Sequence, residues 1–142
     1  MKRLQEDIKT GNFKKIYLLC GEEAYLRQQY KEKLIHALNP TEDTMNFSKY
    51  EGKGIEVREI IDLCETMPFF ADYRVVLVEN SGFFKNKCEE LAEYLKNLPD
   101  YVRFVFVEEE VDKRSKMYKA VKSAGAIVDF AKQDEKTLIR WI

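Results

Sequence analysis

Ile16-Tyr17-Leu18-Leu19-Cys20-Gly21-Glu22-Glu23-Ala24-Tyr25-Leu26 holds the turn on which the reading of the fold rests. Five successive apolar residues, one glycine and a polar step into a run with apolar positions at Leu26, Tyr30, Leu34, Ala37 and Leu38 spell a buried strand, a tight turn and an amphipathic helix. A strand that is apolar at every position is covered on both faces, the mark of a parallel sheet flanked by helices. The same alternation continues along the chain. Further strand runs fall at Met45 to Tyr50, Arg74 to Glu79, Val102 to Val107 and Ala126 to Phe130. Helical stripes lie between them at Val57, Ile60, Ile61 and Cys64, at Cys88, Leu91, Ala92 and Leu95, and at Met117, Ala120, Val121 and Ala124, where Gly125 supplies a stop. Strand alternating with helix predicts a doubly wound α/β domain with a mainly parallel five-stranded sheet and right-handed crossovers. No repeat, low-complexity tract or linker divides the chain, and 142 residues are enough for one cored domain.

In nucleotide-binding α/β proteins the turn after the first strand carries several glycines and a lysine, whose amides and charge cradle phosphate at a helix N-terminus. Here the turn has one glycine, no Gly-Lys-Ser/Thr, and the carboxylates Glu22 and Glu23 where phosphate would sit. Those carboxylates complement the helix dipole themselves and repel an anion. Glu79, ending the strand Val75-Val76-Leu77-Val78, resembles the acid that helps hold magnesium in such proteins, but without a phosphate loop its expected role is structural.

The remaining residues with catalytic chemistry form no constellation. His36 is the one histidine and falls in the polar part of a helical pattern. Cys20, Cys64 and Cys88 lack paired spacing and sit in apolar contexts, so buried free thiols are expected rather than a zinc site. Glu108, Glu109 and Glu110 read as a solvated acidic loop after a strand. No catalytic residue, cofactor or metal is expected. No apolar run approaches the ~20 residues of a membrane span, and the N-terminus lacks a signal peptide's apolar core, so the expected location is the cytoplasm. A net charge of −1 argues against a chain devoted to neutralising nucleic-acid phosphates.

One segment departs from the scheme of apolar stripes and polar loops, Thr66-Met67-Pro68-Phe69-Phe70-Ala71-Asp72. Pro68 has no backbone donor and drives Met67 out of helical geometry, so the helix that begins near Ile55 ends about there. Phe69 and Phe70 then fall in a turn, either tucked beneath it or presented to a partner.

Residues Ile16 to Leu26, the segment Thr66 to Asn80 with Phe83-Phe84-Lys85 following, the stretch Val111 to Gly125 and the closing Leu138-Ile139-Arg140-Trp141-Ile142 together resemble the bacterial DNA polymerase III clamp-loader delta subunit. The resemblance implies a RecA-like, AAA+ type three-layer domain without a phosphate-binding loop or activity of its own, serving within the DNA polymerase holoenzyme during DNA replication. It implies that an apolar helix tip, here Met67, Pro68, Phe69 and Phe70, binds the ring-shaped sliding clamp (the beta subunit) and helps to open it for loading on DNA. Other loader subunits become partners and DNA is met only within the assembled complex, with no membrane contact. A final helix that opens at Asp134 and stops at Ile142 without a cap leads to the expectation of a truncated chain, and the resemblance implies that residues 1–142 are the N-terminal domain of a protein whose later domains are helical.

Lys113, Arg114, Lys116, Lys119 and Lys122 put basic charge on one helix, read as a solvated face or as a contact to DNA or a neighbouring subunit. The competing functional classes are a nucleotide-dependent AAA+ ATPase and a nucleic-acid-binding module. The Gly21-Glu22-Glu23 turn points away from the first and the near-zero net charge from the second.

Overall fold

A computed structural model describes residues 2–11, 13–39, 46–52, 54–68, 73–85 and 88–130. Its elements run α1 (Lys2–Thr10), β1 (Ile16–Cys20), α2 (Ala24–Leu38), β2 (Phe47–Glu51), α3 (Val57–Cys64), β3 (Arg74–Glu79), α4 (Glu89–Leu95), β4 (Val102–Glu108), α5 (Lys116–Ala124) and β5 (Ala126–Asp129). The five strands form one sheet in the order β2-β3-β4-β1-β5, and every neighbouring pair is parallel. This is the α/β architecture that the alternating patterns predict. The final helix expected from Asp134 lies outside the described residues.

The strand pleat sends alternate residues into two separate cores. Ile16, Leu18 and Cys20 of β1 join Val76 and Val78 of β3 and Phe104 and Phe106 of β4 beneath α3, α4 and α5. Tyr17, Leu19, Val75, Leu77, Val105 and Val107 face the other way, under α2, with Ile8 of α1 against the same cluster. The helices contribute the stripes read from sequence: Tyr30, Leu34 and Leu38 from α2, Ile60, Ile61 and Cys64 from α3, Leu91, Ala92 and Leu95 from α4, and Met117, Ala120 and Val121 from α5. Cys88 stands one position before α4 as its N-cap and is half-buried.

Helix α1 is not among the elements expected from apolar periodicity. Two polar bonds fasten it beside the packing of Ile8: Tyr17 Oη donates to Asp7 Oδ2 at 2.6 Å in a buried bond, and Gln5 Nε2 donates to Tyr30 Oη at 2.7 Å. Gly125 ends α5 as expected, but with φ −148° rather than in the left-handed cap conformation. The residue is small because a Cβ there would lie 2.2 Å from the Ile16 carbonyl oxygen. The glycine thus lets the α5–β5 connection pass directly over the start of β1.

Candidate functional site

A parallel sheet has two chemically different edges. At the C-terminal ends of β1, β4 and β5 an open cleft of about 780 Å³ is lined by Gly21 and Glu22, by Glu109 to Lys113, and by Lys85 and Asp129. Doubly wound folds bind ligands at this edge, so its chemistry decides whether a nucleotide fits. Carboxylates dominate it: Glu22, Glu109, Glu110, Asp112 and Asp129 against Lys85 and Lys113, with Lys85 already paired to Glu110.

The backbone of the turn is committed as well. The Glu23 amide, which opens α2, donates to the Phe130 carbonyl at 2.9 Å, and the Phe130 amide donates to the Cys20 carbonyl at 2.6 Å. Gly21 holds φ +110° in this close approach, and a Cβ on it would meet the Phe130 carbonyl carbon at 2.5 Å. Arg27 Nη1 donates to the Gly21 carbonyl. The helix-start amide that would face an anion in a phosphate-binding turn here caps the end of β5.

The strand-end acids are engaged in the fold. Glu79 ends β3 with a buried side chain within 3.4 Å of both Lys31 Nζ and Lys49 Nζ, the structural role expected of it. Glu108 departs from the expected solvated acidic loop: it is the last residue of β4 and only 2% exposed. Its carboxylate accepts from the Ser81 amide at 2.9 Å, the Gly82 amide at 3.2 Å and the Ser81 hydroxyl. Burial pushes its carboxyl above the ordinary range, against the opposing pull of those donors. The miss has a simple cause, since three successive glutamates read as one run while β4 continues through the first. Glu109 and Glu110 are exposed as expected.

His36 is exposed on α2. The three cysteines are free thiols, and burial pushes Cys20 up to about 11 and Cys64 up to about 12. Among the described residues no group of three His, Cys, Asp or Glu side chains could hold a metal ion, and no helix is long and apolar enough to cross a membrane.

The opposite edge, at the N-terminal ends of the strands, carries Met67 and Pro68. Helix α3 ends at Cys64, and Glu65 closes it with its amide donating to Ile61 at 3.2 Å. Thr66, Met67 and Pro68 follow, two to four residues past the helix end, and the chain re-enters the sheet at Arg74. Among the described residues two large apolar side chains are exposed, Met67 at 72% and Tyr25 at 73%. Tyr25 has a polar tether, its hydroxyl accepting from Gln29 Nε2 at 3.1 Å. Met67 is a bare thioether at a helix end, with Pro68 half-buried beside it. Phe69 and Phe70 lie outside the described residues.

The buried residue beneath the tip escapes a reading by motif. Arg74, 5% exposed at the start of β3, donates from Nε to the Thr66 carbonyl at 2.6 Å and from Nη2 to the Met67 carbonyl at 3.1 Å. An arginine opening an apolar strand gives no sequence signal of such a role.

Comparison with known proteins bears on this arrangement. The family model for DNA polymerase III, delta subunit, matches residues 17–131. The fold is similar to that of the Bacillus subtilis DNA clamp loader delta protein, with a TM-score of 0.87, 22% identity, and coverage of 99% of this chain and 45% of that one. It is also similar to a DNA polymerase III gamma subunit-related protein from Thermotoga maritima, with a TM-score of 0.61, 13% identity, and coverage of 94% and 47%. The chain therefore spans about half the length of these solved structures. A search of curated proteins found no match.

Proposed function

The chain belongs to the DNA polymerase III delta-subunit family, and from that premise we propose that it is the N-terminal domain of a clamp-loader subunit that binds the sliding clamp through the tip at Met67, Pro68, Phe69 and Phe70 and so helps open the ring. The observation that carries this reading is Met67, a large apolar side chain left 72% exposed at the end of α3. Exposed apolar groups grouped at a rigid element's end are suited to act as anchors, because burying them in a partner's pocket releases water without reorganising the fold.

Opening a ring needs no chemistry in this subunit. A partner that binds a distorted clamp better than a closed one shifts the population towards opening by its difference in affinity. Nucleotide-driven control then belongs to other loader subunits, in keeping with the acidic cleft at the far edge of the sheet. Work in the cytoplasm within a replication complex follows from the same reading.

Titration of the cognate clamp with Met67→Ala, Phe70→Ala and the Phe69→Ala, Phe70→Ala pair tests it. Aromatic anchors commonly cost ~2 kcal/mol or more when truncated, so Phe70→Ala should weaken binding roughly thirtyfold and the pair by more, with melting temperatures little changed. Unchanged clamp affinity in a folded double variant overturns the tip as the binding site. Loss of folding instead identifies the phenylalanines as core, where truncation costs ~3 to 5 kcal/mol.

A further inference from the structure

We infer that Arg74 is a positioning residue for clamp binding: its buried guanidinium holds the two carbonyls at the root of the tip and thereby fixes where Met67 is presented. This rests on the clamp-binding reading above and adds to it a residue that does not itself reach the partner.

The geometry supports the assignment at each step. Carbonyls just past a helix end have no ladder partner and must find donors elsewhere when the segment is held against the fold. After α3 the amides of Glu65 and Thr66 turn back to Ile61 and Leu63, leaving the carbonyls that follow to be satisfied from elsewhere. Arg74 meets two of them with two different nitrogens, Nε at 2.6 Å to Thr66 and Nη2 at 3.1 Å to Met67. A rigid planar fork bonded to adjacent carbonyls defines an orientation as well as a position. Its own backbone is fixed at the sheet edge, where the Arg74 amide donates to the Tyr101 carbonyl at 2.8 Å and β3 pairs with β4 from Arg74 onward. The positive charge also lies favourably at a helix C-terminus. Met67 is thus exposed in its side chain while its backbone is tied to the start of an inner strand of the sheet, so less ordering is left to do on binding.

Lysine keeps the charge but offers one compact ammonium in place of a planar fork, which cannot reproduce two bonds from separate nitrogens of fixed relative direction. Arg74→Lys should weaken binding of the purified clamp about tenfold, the loss of one charge-assisted hydrogen bond's worth of placement. Arg74→Gln serves as a second variant should the first fold poorly, and each is read beside its thermal melt. The decisive measurement is a double-mutant cycle with Met67→Ala. If Arg74 acts through the tip, Met67→Ala loses most of its effect on clamp affinity in the Arg74→Lys or Arg74→Gln background, while the effects on melting temperature simply add. Additive losses of affinity, or a folded Arg74 variant with parental affinity, overturn the assignment. Should Met67→Ala and the phenylalanine pair leave affinity untouched in the parent chain, it is the clamp-binding reading that fails, and the two failures are separable.

Discussion

Glu108 shows how much one buried charge can say about a scaffold. Its carboxylate is held by three donors from Ser81 and Gly82, yet burial still pushes its carboxyl above the ordinary range. A carboxyl whose pKa is raised on folding binds more protons folded than unfolded, so its contribution is fully present below the unfolded value near 4.5 and is lost as pH rises through the folded value. The expected outcome is that the parent chain loses stability relative to Glu108→Gln as pH climbs from about 4.5 towards neutrality, in paired thermal melts. A stability difference between the two that is flat with pH, or that moves in the parent's favour, would contradict it. The sequence could not show this carboxylate, because burial of a strand's last residue depends on the loop that folds over it. The tip is only partly legible for a related reason: Pro68 bars α3 from running on, but the helix already ends at Cys64, earlier than the proline predicts, and the exposure of Met67 and the two bonds from Arg74 are facts of tertiary placement.

At the scale of elements, strands and helices that bury continuous apolar faces are readable from period alone, and β1, β3 and α5 begin where the pattern places them or within a residue of it. Helix α1 is harder to read, since it is short and the bonds of Asp7 and Gln5 that help attach it have no apolar signature. The β1–α2 turn is the element whose chemistry the sequence states best, although it does not show why a glycine stands there. Gly21 is present because the end of β5 crosses it, with φ +110° and with Phe130 backbone where a Cβ would go. Gly21→Ala should therefore cost roughly 2 kcal/mol or more, combining an unfavourable positive φ with displacement of the β5 end. A fall in melting temperature of about 6 °C or more is the expected reading for a domain of this size. A variant melting within about a degree of the parent would show that the crossing is looser than the Glu23–Phe130 and Phe130–Cys20 bonds imply.

For the whole molecule, the two edges of one parallel sheet have opposite characters, and β3 alone separates them by about 20 Å at ordinary strand rise. The C-terminal edge holds an open cleft lined mainly by carboxylates, and the Glu23 amide at the start of α2 is bonded to the Phe130 carbonyl. The N-terminal edge, where α/β folds seldom place a ligand site, carries the exposed Met67 on the rigid seat made by Arg74. Two ligand sites on one sheet would permit nucleotide to influence the tip, whereas a cleft that admits no phosphate would, on the proposed function, leave nucleotide control to other subunits. Binding of magnesium ATP discriminates between these. A ligand at a hundred times its dissociation constant raises stability by ~2.7 kcal/mol, several degrees in melting temperature for a domain of this size. Were the affinity micromolar, ~1 mM magnesium ATP would exceed that ratio and the shift would be plain. The expected result is no upward shift at ~1 mM, with clamp affinity equally indifferent to the nucleotide. An upward shift of several degrees, abolished by EDTA, would mean that the carboxylates and the Glu23 amide rearrange to admit phosphate, and the division of labour between the two edges would have to be abandoned.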